Sequence, residues 1–148
     1  MTLINKGMRN LKIAEILDSG DFAQLTQFNK AHLVSVIINR LYYGIYLIGK
    51  DKLFAKDNDM PDKIGHGTEN LFNGVVDDID KAKRQKYLWL RLYGFYGDLQ
   101  VSNFAIKMHD IRNVYDYNAD IDNTKALEDL NVCKYYADYL QLKLKELE

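Results

Sequence analysis

Apolar residues recur at intervals of three and four along most of the chain, which is the spacing of one face of an α-helix. The second quarter has the clearest pattern, with Val34, Ile38, Leu41, Ile45 and Ile48. The last quarter repeats it, with Leu130, Cys133, Ala137, Leu140, Leu144 and Leu147. These two seams predict long helices over about 30–52 and 124–147, packed in an antiparallel bundle.

Weaker patterns predict helices over about 2–17, 81–96 and 98–115, with shorter ones around 22–28 and 68–76. A polar connector over about 55–67 lies between the helices predicted over 30–52 and 68–76. Gly44 lies inside the second long helix, where glycine costs about 1 kcal/mol relative to alanine. We therefore expect another helix to approach closely there. Alternating strand patterns bounded by hairpin turns are absent from the sequence, so we predict an all-α bundle of about five main helices, in a single domain over 1–148.

The composition narrows the class of protein. Hydrophobic residues make up 47% of the 148 residues, charged residues 28%, and the formal net charge is −1, which argues against a globally basic nucleic-acid binder. The only local positive run in the linear sequence, Lys81 to Lys86, is more typical of a solvated helix face. The single cysteine, Cys133, excludes an intramolecular disulfide, and three histidines make a structural zinc site unexpected. We expect neither metal nor cofactor.

The N-terminal residues lack the apolar core and cleavage site of a signal peptide, and no stretch reaches the length of a membrane span. These observations predict a cytoplasmic protein without membrane contact.

One arginine continues a core-facing stripe of the helix predicted over 98–115. Counting back from Tyr115 in helical steps gives Arg112, Met108 and Ala105. Arginine keeps its charge, so on an inward face it needs an anionic partner or a ligand. Either Arg112 contacts an anion such as phosphate, or it forms an i,i+4 ion pair with Asp116 near the helix end. The ion pair is the commoner arrangement.

Two histidines and one tyrosine-rich helix supply further candidate groups. His66 lies between two glycines just before a predicted helix, where an imidazole can act as acid or base near neutral pH. His109 lies one turn before Arg112, so the two can share a face. Arg40 and Tyr43 share a face of the second long helix, although aromatic residues at this spacing more commonly belong to the core.

Three segments of the chain resemble motifs of one known family. Residues 39–46, Asn-Arg-Leu-Tyr-Tyr-Gly-Ile-Tyr, are similar to its Ser-Arg-x-Tyr-Tyr-Ala-x-Phe helix. His66-Gly67 followed by Phe72 is similar to its loop histidine, small residue and following aromatic. Residues 111–117, Ile-Arg-Asn-Val-Tyr-Asp-Tyr, are similar to its Leu-Arg-x-x-x-Asp-Tyr element, which a final long helix follows. From about residue 30 to its end, the chain thus resembles the HEPN domain (the higher-eukaryote and prokaryote nucleotide-binding fold) in its small stand-alone prokaryotic form.

The resemblance implies a helical bundle that commonly dimerises. Many HEPN proteins are metal-independent endoribonucleases or toxins paired with nucleotidyltransferase-like antitoxins. Active members carry an arginine, a polar residue and, after four to six intervening positions, a histidine. Arg112 and Asn113 match the start of that motif, but Tyr117, Asn118 and Ala119 stand where the histidine would fall. The ribonuclease motif is therefore incomplete in this chain.

Three functions remain open at this point. The first, which we favour, is a binding module for a nucleotide, RNA or partner protein in a toxin–antitoxin or defence system. The second is an active metal-independent endoribonuclease that uses Arg112 with His66 or His109. The third is a non-catalytic dimerisation module in which Arg112 only pairs with Asp116. The expected partners are a second copy of the chain, a nucleotidyltransferase-like antitoxin, and RNA or a nucleotide. The expected anion site contains Arg112, Asn113, Arg40, Tyr43, Asp116 and Tyr117.

Overall fold

The protein folds into an all-α bundle, as predicted. A computed structural model describes residues 2–19, 30–66, 76–117 and 121–148, without the side chains of residues 30–32 and 117. Six helices and no strand occur in these ranges; five of the helices have nine or more residues and one has five. They are α1 Leu3–Asp18, α2 Lys30–Lys56, α3 Ile79–Lys83, α4 Leu88–Tyr96, α5 Leu99–Tyr117 and α6 Asn123–Glu146. The helix predicted over 22–28 and almost all of the one over 68–76 fall outside the described residues.

Helix α2 is the centre of the bundle and packs against α1, α4, α5 and α6. Its predicted apolar seam is buried along its whole length, from Val34 to Ile48. The seam of α6 is buried from Leu130 to Leu144, with Cys133 inside it. The two long helices therefore bury the faces that the spacing predicts, and apolar burial of this kind is the main source of stability of a bundle.

A close approach of α1 and α2 explains the glycine inside α2. A Cβ atom on Gly44 would lie 2.9 Å from the carbonyl oxygen of Gly7, and a Cβ atom on Gly7 would lie 2.7 Å from the carbonyl oxygen of Gly44. These distances are too short for any side chain, so both positions require glycine. The predicted close helix contact is confirmed, and the partner is α1.

The single helix predicted over 81–96 is wrong, since the structure divides it into α3 and α4. Between them Tyr87 is extended, with φ −114° and ψ 132°. The Gly65 N–H donates to the Lys86 carbonyl, and the Leu88 N–H donates to the Gly65 carbonyl, both at 2.8 Å. These residues satisfy their backbone groups with the connector instead of with a helical turn. The resulting parallel bridge fixes the connector directly before His66.

Candidate functional site

Four side chains from α2, α5 and the connector meet inside the bundle. The Tyr42 hydroxyl lies 2.6 Å from Nδ1 of His66. The ring of His66 stacks on the ring of His109, with centroids 5.3 Å apart and planes 8° from parallel. The guanidinium carbon of Arg112 lies 5.4 Å from the centre of the Tyr42 ring. The arginine and both histidines that the sequence singles out are therefore neighbours in space.

The local structure explains why these residues converge. Arg112 and His109 lie one turn apart on α5, on the face whose other members, Met108 and Ala105, are fully buried. Tyr42 belongs to the buried face of α2 and directs its hydroxyl to the connector. The backbone bridge between Gly65 and Tyr87 holds the connector beside this hydroxyl. The site therefore depends on one helix pair and on one short loop.

Hydrogen bonding through Tyr42 sets the proton position on His66. The Trp89 indole N–H donates to the Tyr42 hydroxyl oxygen at 3.2 Å. An indole N–H only donates, so the hydroxyl oxygen accepts this bond, and we assign the hydroxyl proton to the 2.6 Å contact with Nδ1 of His66, since it has no other acceptor among the described residues. Burial also raises the pKa of the Tyr42 hydroxyl, which keeps it protonated. His66 thus accepts at Nδ1 and carries its ring proton on Nε2.

His109 has the opposite arrangement. The amide nitrogen of Asn113 lies 3.3 Å from Nε2 of His109, and an amide NH₂ group is a donor. The ring proton of His109 therefore lies on Nδ1. That atom is buried and 3.4 Å from a carboxylate oxygen of Asp110, without a hydrogen bond to any described residue. His109 thus has a buried N–H donor that lacks an aligned acceptor.

Both imidazoles are held neutral near pH 7. Burial lowers the pKa of His66 to about 4, and the neighbouring His109 and Arg112 add to the shift. Burial also lowers the pKa of His109, and Arg112 acts in the same direction, while Asp110 and Asp116 oppose the shift. The cationic form of each ring is disfavoured because it would be partly desolvated beside an arginine. Arg112 is therefore the positive charge of the site.

Arg112 has a carboxylate neighbour, yet its hydrogen bonds are incomplete. Its Nε atom lies 3.2 Å from a carboxylate oxygen of Asp116, so the i,i+4 ion pair is present. The same Nε atom is buried and lies outside hydrogen-bond geometry with that oxygen. The side chain is 25% exposed. Arg112 therefore pairs with Asp116, and it also has a buried N–H group without a hydrogen bond to a described residue.

The two imidazoles and Arg112 offer donors rather than acceptors, beside the carboxylates of Asp110 and Asp116. The acceptor nitrogen of His66 is engaged by Tyr42, and that of His109 by Asn113. The remaining groups are the Nε2–H of His66, the Nδ1–H of His109 and the guanidinium of Arg112. This donor set suits an anion with several acceptor oxygens, such as phosphate, which competes with the Asp116 carboxylate for the guanidinium. It does not suit a metal ion, which needs the nitrogen lone pairs.

The other residues predicted for the anion site have different positions. Asn113 and Asp116 belong to the cluster through His109 and Arg112. Arg40 lies apart, exposed on α2, where its guanidinium donates to the side-chain oxygen of Asn10 at 3.0 Å. Tyr43 is also apart from the cluster, 42% exposed. The predicted site member Tyr117 belongs to α5, and its side chain is outside the described residues.

Tyr42, Trp89 and Tyr46 are the site residues that sequence reasoning missed as functional groups. Tyr42 and Tyr46 follow the core pattern of α2, and both are indeed buried. The Tyr46 ring lies 4.4 Å from the ring of His66, and its hydroxyl donates to the carbonyl of Ile64 at 3.3 Å. A buried hydroxyl requires a polar partner, so the tyrosines themselves were the signal that a polar group lies beside the core seam.

Comparisons with other proteins add no assignment. No protein-family model, curated protein or solved structure matches the chain. Within the described ranges, no group of three or more histidine, cysteine, aspartate or glutamate side chains is placed to hold a metal ion. Among the helices of those same ranges, none is long and apolar enough to cross a bilayer.

Proposed function

We propose that this chain is a HEPN-like binding protein that holds a phosphate group of a nucleotide or RNA at Arg112, in a toxin–antitoxin or defence system. One observation carries the proposal. Arg112, His66 and His109 are neighbours, and the Nε of Arg112 and the Nδ1 of His109 are buried without a hydrogen bond to a described residue. A phosphate supplies acceptor oxygens to these donors and competes with Asp116 as the anion beside the guanidinium.

Binding is favoured over catalysis by the state of the two imidazoles. A metal-independent ribonuclease needs a base that takes a proton from the 2′-hydroxyl of RNA. A neutral imidazole acts as a base through its unprotonated nitrogen, and Tyr42 and Asn113 occupy that nitrogen in His66 and His109. As donors, in contrast, the two rings are already oriented. The HEPN ribonuclease motif that starts at Arg112 lacks its histidine in this chain, which also favours binding over catalysis.

The test is a titration of isotope-labelled protein with inorganic phosphate and with uridine 5′-monophosphate at pH 7, followed through the imidazole nitrogens by NMR. We expect both ligands to shift the signals of His66 and His109 and to raise the pKa of His66. Arg112→Lys should weaken binding about tenfold or more, because lysine lacks the planar fork and charge-assisted hydrogen bonds are strong. Asp116→Asn should leave binding unchanged or tighten it, since a competing carboxylate charge is removed.

The matched control is Arg84→Lys, the same change at an exposed arginine. It should bind both ligands like the wild type. Equal binding by wild type and Arg112→Lys, or no detectable binding of either ligand to the wild type, would refute the anion site. In that case a non-catalytic dimerisation module, with Arg112 paired to Asp116, becomes the better account.

The endoribonuclease remains the second candidate because one observation favours it. Two histidines stack on each other directly beside the arginine that matches the family motif. If the chain cleaves RNA, a labelled RNA incubated with chelator should be cut by the wild type and spared by His66→Gln and His109→Gln. RNA that stays intact with wild-type protein while it binds supports the binding function.

Partners follow from the resemblance alone. We propose a homodimer and a nucleotidyltransferase-like antitoxin. Light scattering at micromolar concentration tests the first, since a monomer has a mass of 17.2 kDa. A mass of one chain would exclude the dimer without affecting the anion site. Co-purification with a nucleotidyltransferase encoded by an adjacent gene tests the proposed antitoxin.

A further inference from the structure

The parts of α1 and α2 around the contact of Gly7 with Gly44 are basic although the whole chain is not, since the acidic residues of these helices, Glu15, Asp18 and Asp51, lie towards their C-terminal ends. Residues 2–14 and 30–50 contain six basic residues and no acidic residue, whereas the complete chain has a net charge of −1. The basic residues are Lys6, Arg9, Lys12, Lys30, Arg40 and Lys50. The charge is distributed over two helices far apart in sequence, and the contact between Gly7 and Gly44 brings those helices together. The fold therefore creates a positive surface that is absent from the linear sequence.

Part of this surface is a shallow depression of about 300 Å³. It is lined by Lys6, Arg9 and Asn10 of α1 and by Tyr43 and Leu47 of α2. Lys6 and Arg9 are exposed and form no ion pair with a described residue. Asn10 is only 8% exposed and accepts from the guanidinium of Arg40 at 3.0 Å. A buried amide thus orients a third cation at the edge of the depression.

An aromatic contact series joins this depression to the Arg112 site. Tyr43 is 42% exposed and stacks on Tyr46, with centroids 6.0 Å apart and planes 19° from parallel. Tyr46 in turn lies against His66, with centroids 4.4 Å apart. The exposed ring of Tyr43 can therefore be no farther from His66 than these two distances together. The ring at the edge of the depression and the histidine beside Arg112 are thus joined through a single intervening ring, that of Tyr46.

We infer that the depression between α1 and α2 is a second subsite, which receives a single-stranded nucleic acid whose neighbouring phosphate lies at Arg112. Lys6, Arg9 and Arg40 contact the backbone, and a base stacks on Tyr43. The inference rests on the proposed function, because Arg112 holds one end of the strand. It extends that function by naming the ligand as an oligonucleotide rather than a free nucleotide.

The chemistry of the surface favours this ligand over other anions. Cations that follow a groove, with an exposed aromatic ring between them, are the usual elements of single-strand binding. The cations alone would suit any polyanion, but the exposed ring adds a site for the face of a base. An unstacked base is available only in a single strand. DNA and RNA share this chemistry, so the experiment includes both.

The experiment measures binding of a labelled eight-nucleotide uridine RNA, and of the matching single-stranded DNA, by fluorescence anisotropy at several salt concentrations. Uridine 5′-monophosphate is measured alongside by NMR. The double variant Lys6→Gln/Arg9→Gln should weaken octamer binding and reduce the slope of log affinity against log salt by about 1.4, the value for two lost phosphate contacts. Its affinity for the monophosphate should stay unchanged. The control for charge is Lys143→Gln/Lys145→Gln at the end of α6.

Tyr43 is tested separately. Tyr43→Ala should weaken octamer binding about 5- to 150-fold, the range for loss of one base–aromatic stack. Tyr43→Phe should bind like the wild type, because the ring is kept and only the hydroxyl is lost. Circular dichroism verifies that each variant keeps its helices.

The outcomes distinguish failure of the second subsite from failure of phosphate binding at Arg112. If the monophosphate shifts the histidine signals but the octamer binds no tighter, or if Lys6→Gln/Arg9→Gln behaves like its control, the second subsite is refuted and the Arg112 site stands. If polyglutamate competes as well as RNA, stacking has no role and the inference fails. If neither ligand binds the wild type, both proposals fail. Stronger binding of RNA than of DNA would assign the ligand to RNA, and equal binding would assign recognition to backbone and stacking alone.

Discussion

Two arginines lie inside this bundle, and their surroundings differ in the number of hydrogen-bond acceptors that they offer. This number separates a structural arginine from one that can bind a ligand. Arg91, on α4, has an acceptor for every side of its guanidinium. Arg112, on α5, has a carboxylate neighbour but no hydrogen bond to a described residue. Both carry the same charge, and both lie beside aromatic rings. The difference is in the number of acceptors, and only Arg112 is left with donors for a ligand.

The Arg91 cluster is a closed ion pair. Its Nε and one terminal nitrogen donate to the two carboxylate oxygens of Asp57, and the side chains of the pair are 9% and 2% exposed. The remaining donors reach the carbonyl oxygens of Asp59 at 2.9 Å and Gln85 at 3.3 Å. These bonds tie the start of the connector to the turn between α3 and α4. Since the other end of that connector carries His66, the satisfied arginine supports the loop on which the unsatisfied one depends.

The largest expected effect comes from breaking the closed pair. Arg91→Met should lower the free energy of unfolding by about 3–5 kcal/mol, because it leaves the Asp57 carboxylate buried without its partner. The loss should be measured by urea denaturation at pH 7. The control is Arg91→Met/Asp57→Leu, which removes both charges and should recover much of the stability. If the single variant lowers the free energy of unfolding by less than about 1 kcal/mol, the ion pair does not hold the connector in place as the geometry indicates.

A smaller loss is expected at the hydroxyl that connects the core with the site. Tyr42→Phe should cost about 1–3 kcal/mol, because the buried Trp89 indole N–H loses its acceptor. It should also raise the pKa of His66 and release its tautomer, both visible in the imidazole nitrogen shifts. Tyr93→Phe is the control, since it removes the same group from a partly buried tyrosine whose hydroxyl donates to the carbonyl oxygen of Val76 at 2.7 Å. An unchanged His66 spectrum in Tyr42→Phe would show that Tyr42 does not set its proton position.

The sequence predicts the bundle well, because helical periodicity is a local property. The seams of α2 and α6 and the close contact at Gly44 follow directly from spacing and from the cost of glycine in a helix. The break between α3 and α4 does not follow, since it depends on backbone bonds from Tyr87 and its neighbours to Gly65, which lies more than twenty residues earlier. Such a pairing leaves no periodic signal in either segment.

The site could be predicted only in part, for the same reason. Arg112 and His109 share one helix, so their proximity is a matter of spacing. The approach of His66 from a loop depends on tertiary contacts, as does the place of Tyr42 between Trp89 and the histidines. The basic surface between α1 and α2 was invisible because its charges, such as Arg9 and Arg40, come from different helices. The sequence also could not distinguish Arg91 from Arg112, since acceptor count is a property of the folded chain.

The pH dependence of stability tests the neutral state of the histidine pair. Because the pKa of His66 is about 4 in the folded protein and near 6.5 in the unfolded chain, the unfolded state takes up the proton first as pH falls. Stability should therefore be full above pH 6.5 and decline between about pH 6.5 and 4. The ring is only partly buried, so we expect a modest effect. His66→Gln should flatten the decline in urea denaturation curves, and an equal slope in both proteins would contradict the assignment.

The smallest expected effect completes the comparison of the two arginines. Arg112→Lys should change the free energy of unfolding by less than about 1 kcal/mol, because its ion pair with Asp116 is partly exposed and lacks hydrogen-bond geometry. The same change at Arg91 should cost far more, since lysine cannot bond both oxygens of Asp57 and the two carbonyls at once. Urea denaturation of the two lysine variants, measured side by side at pH 7, gives the answer. If Arg112→Lys destabilises the protein as much as Arg91→Lys, Arg112 is a structural group, and the donors that we assign to a phosphate are engaged within the fold.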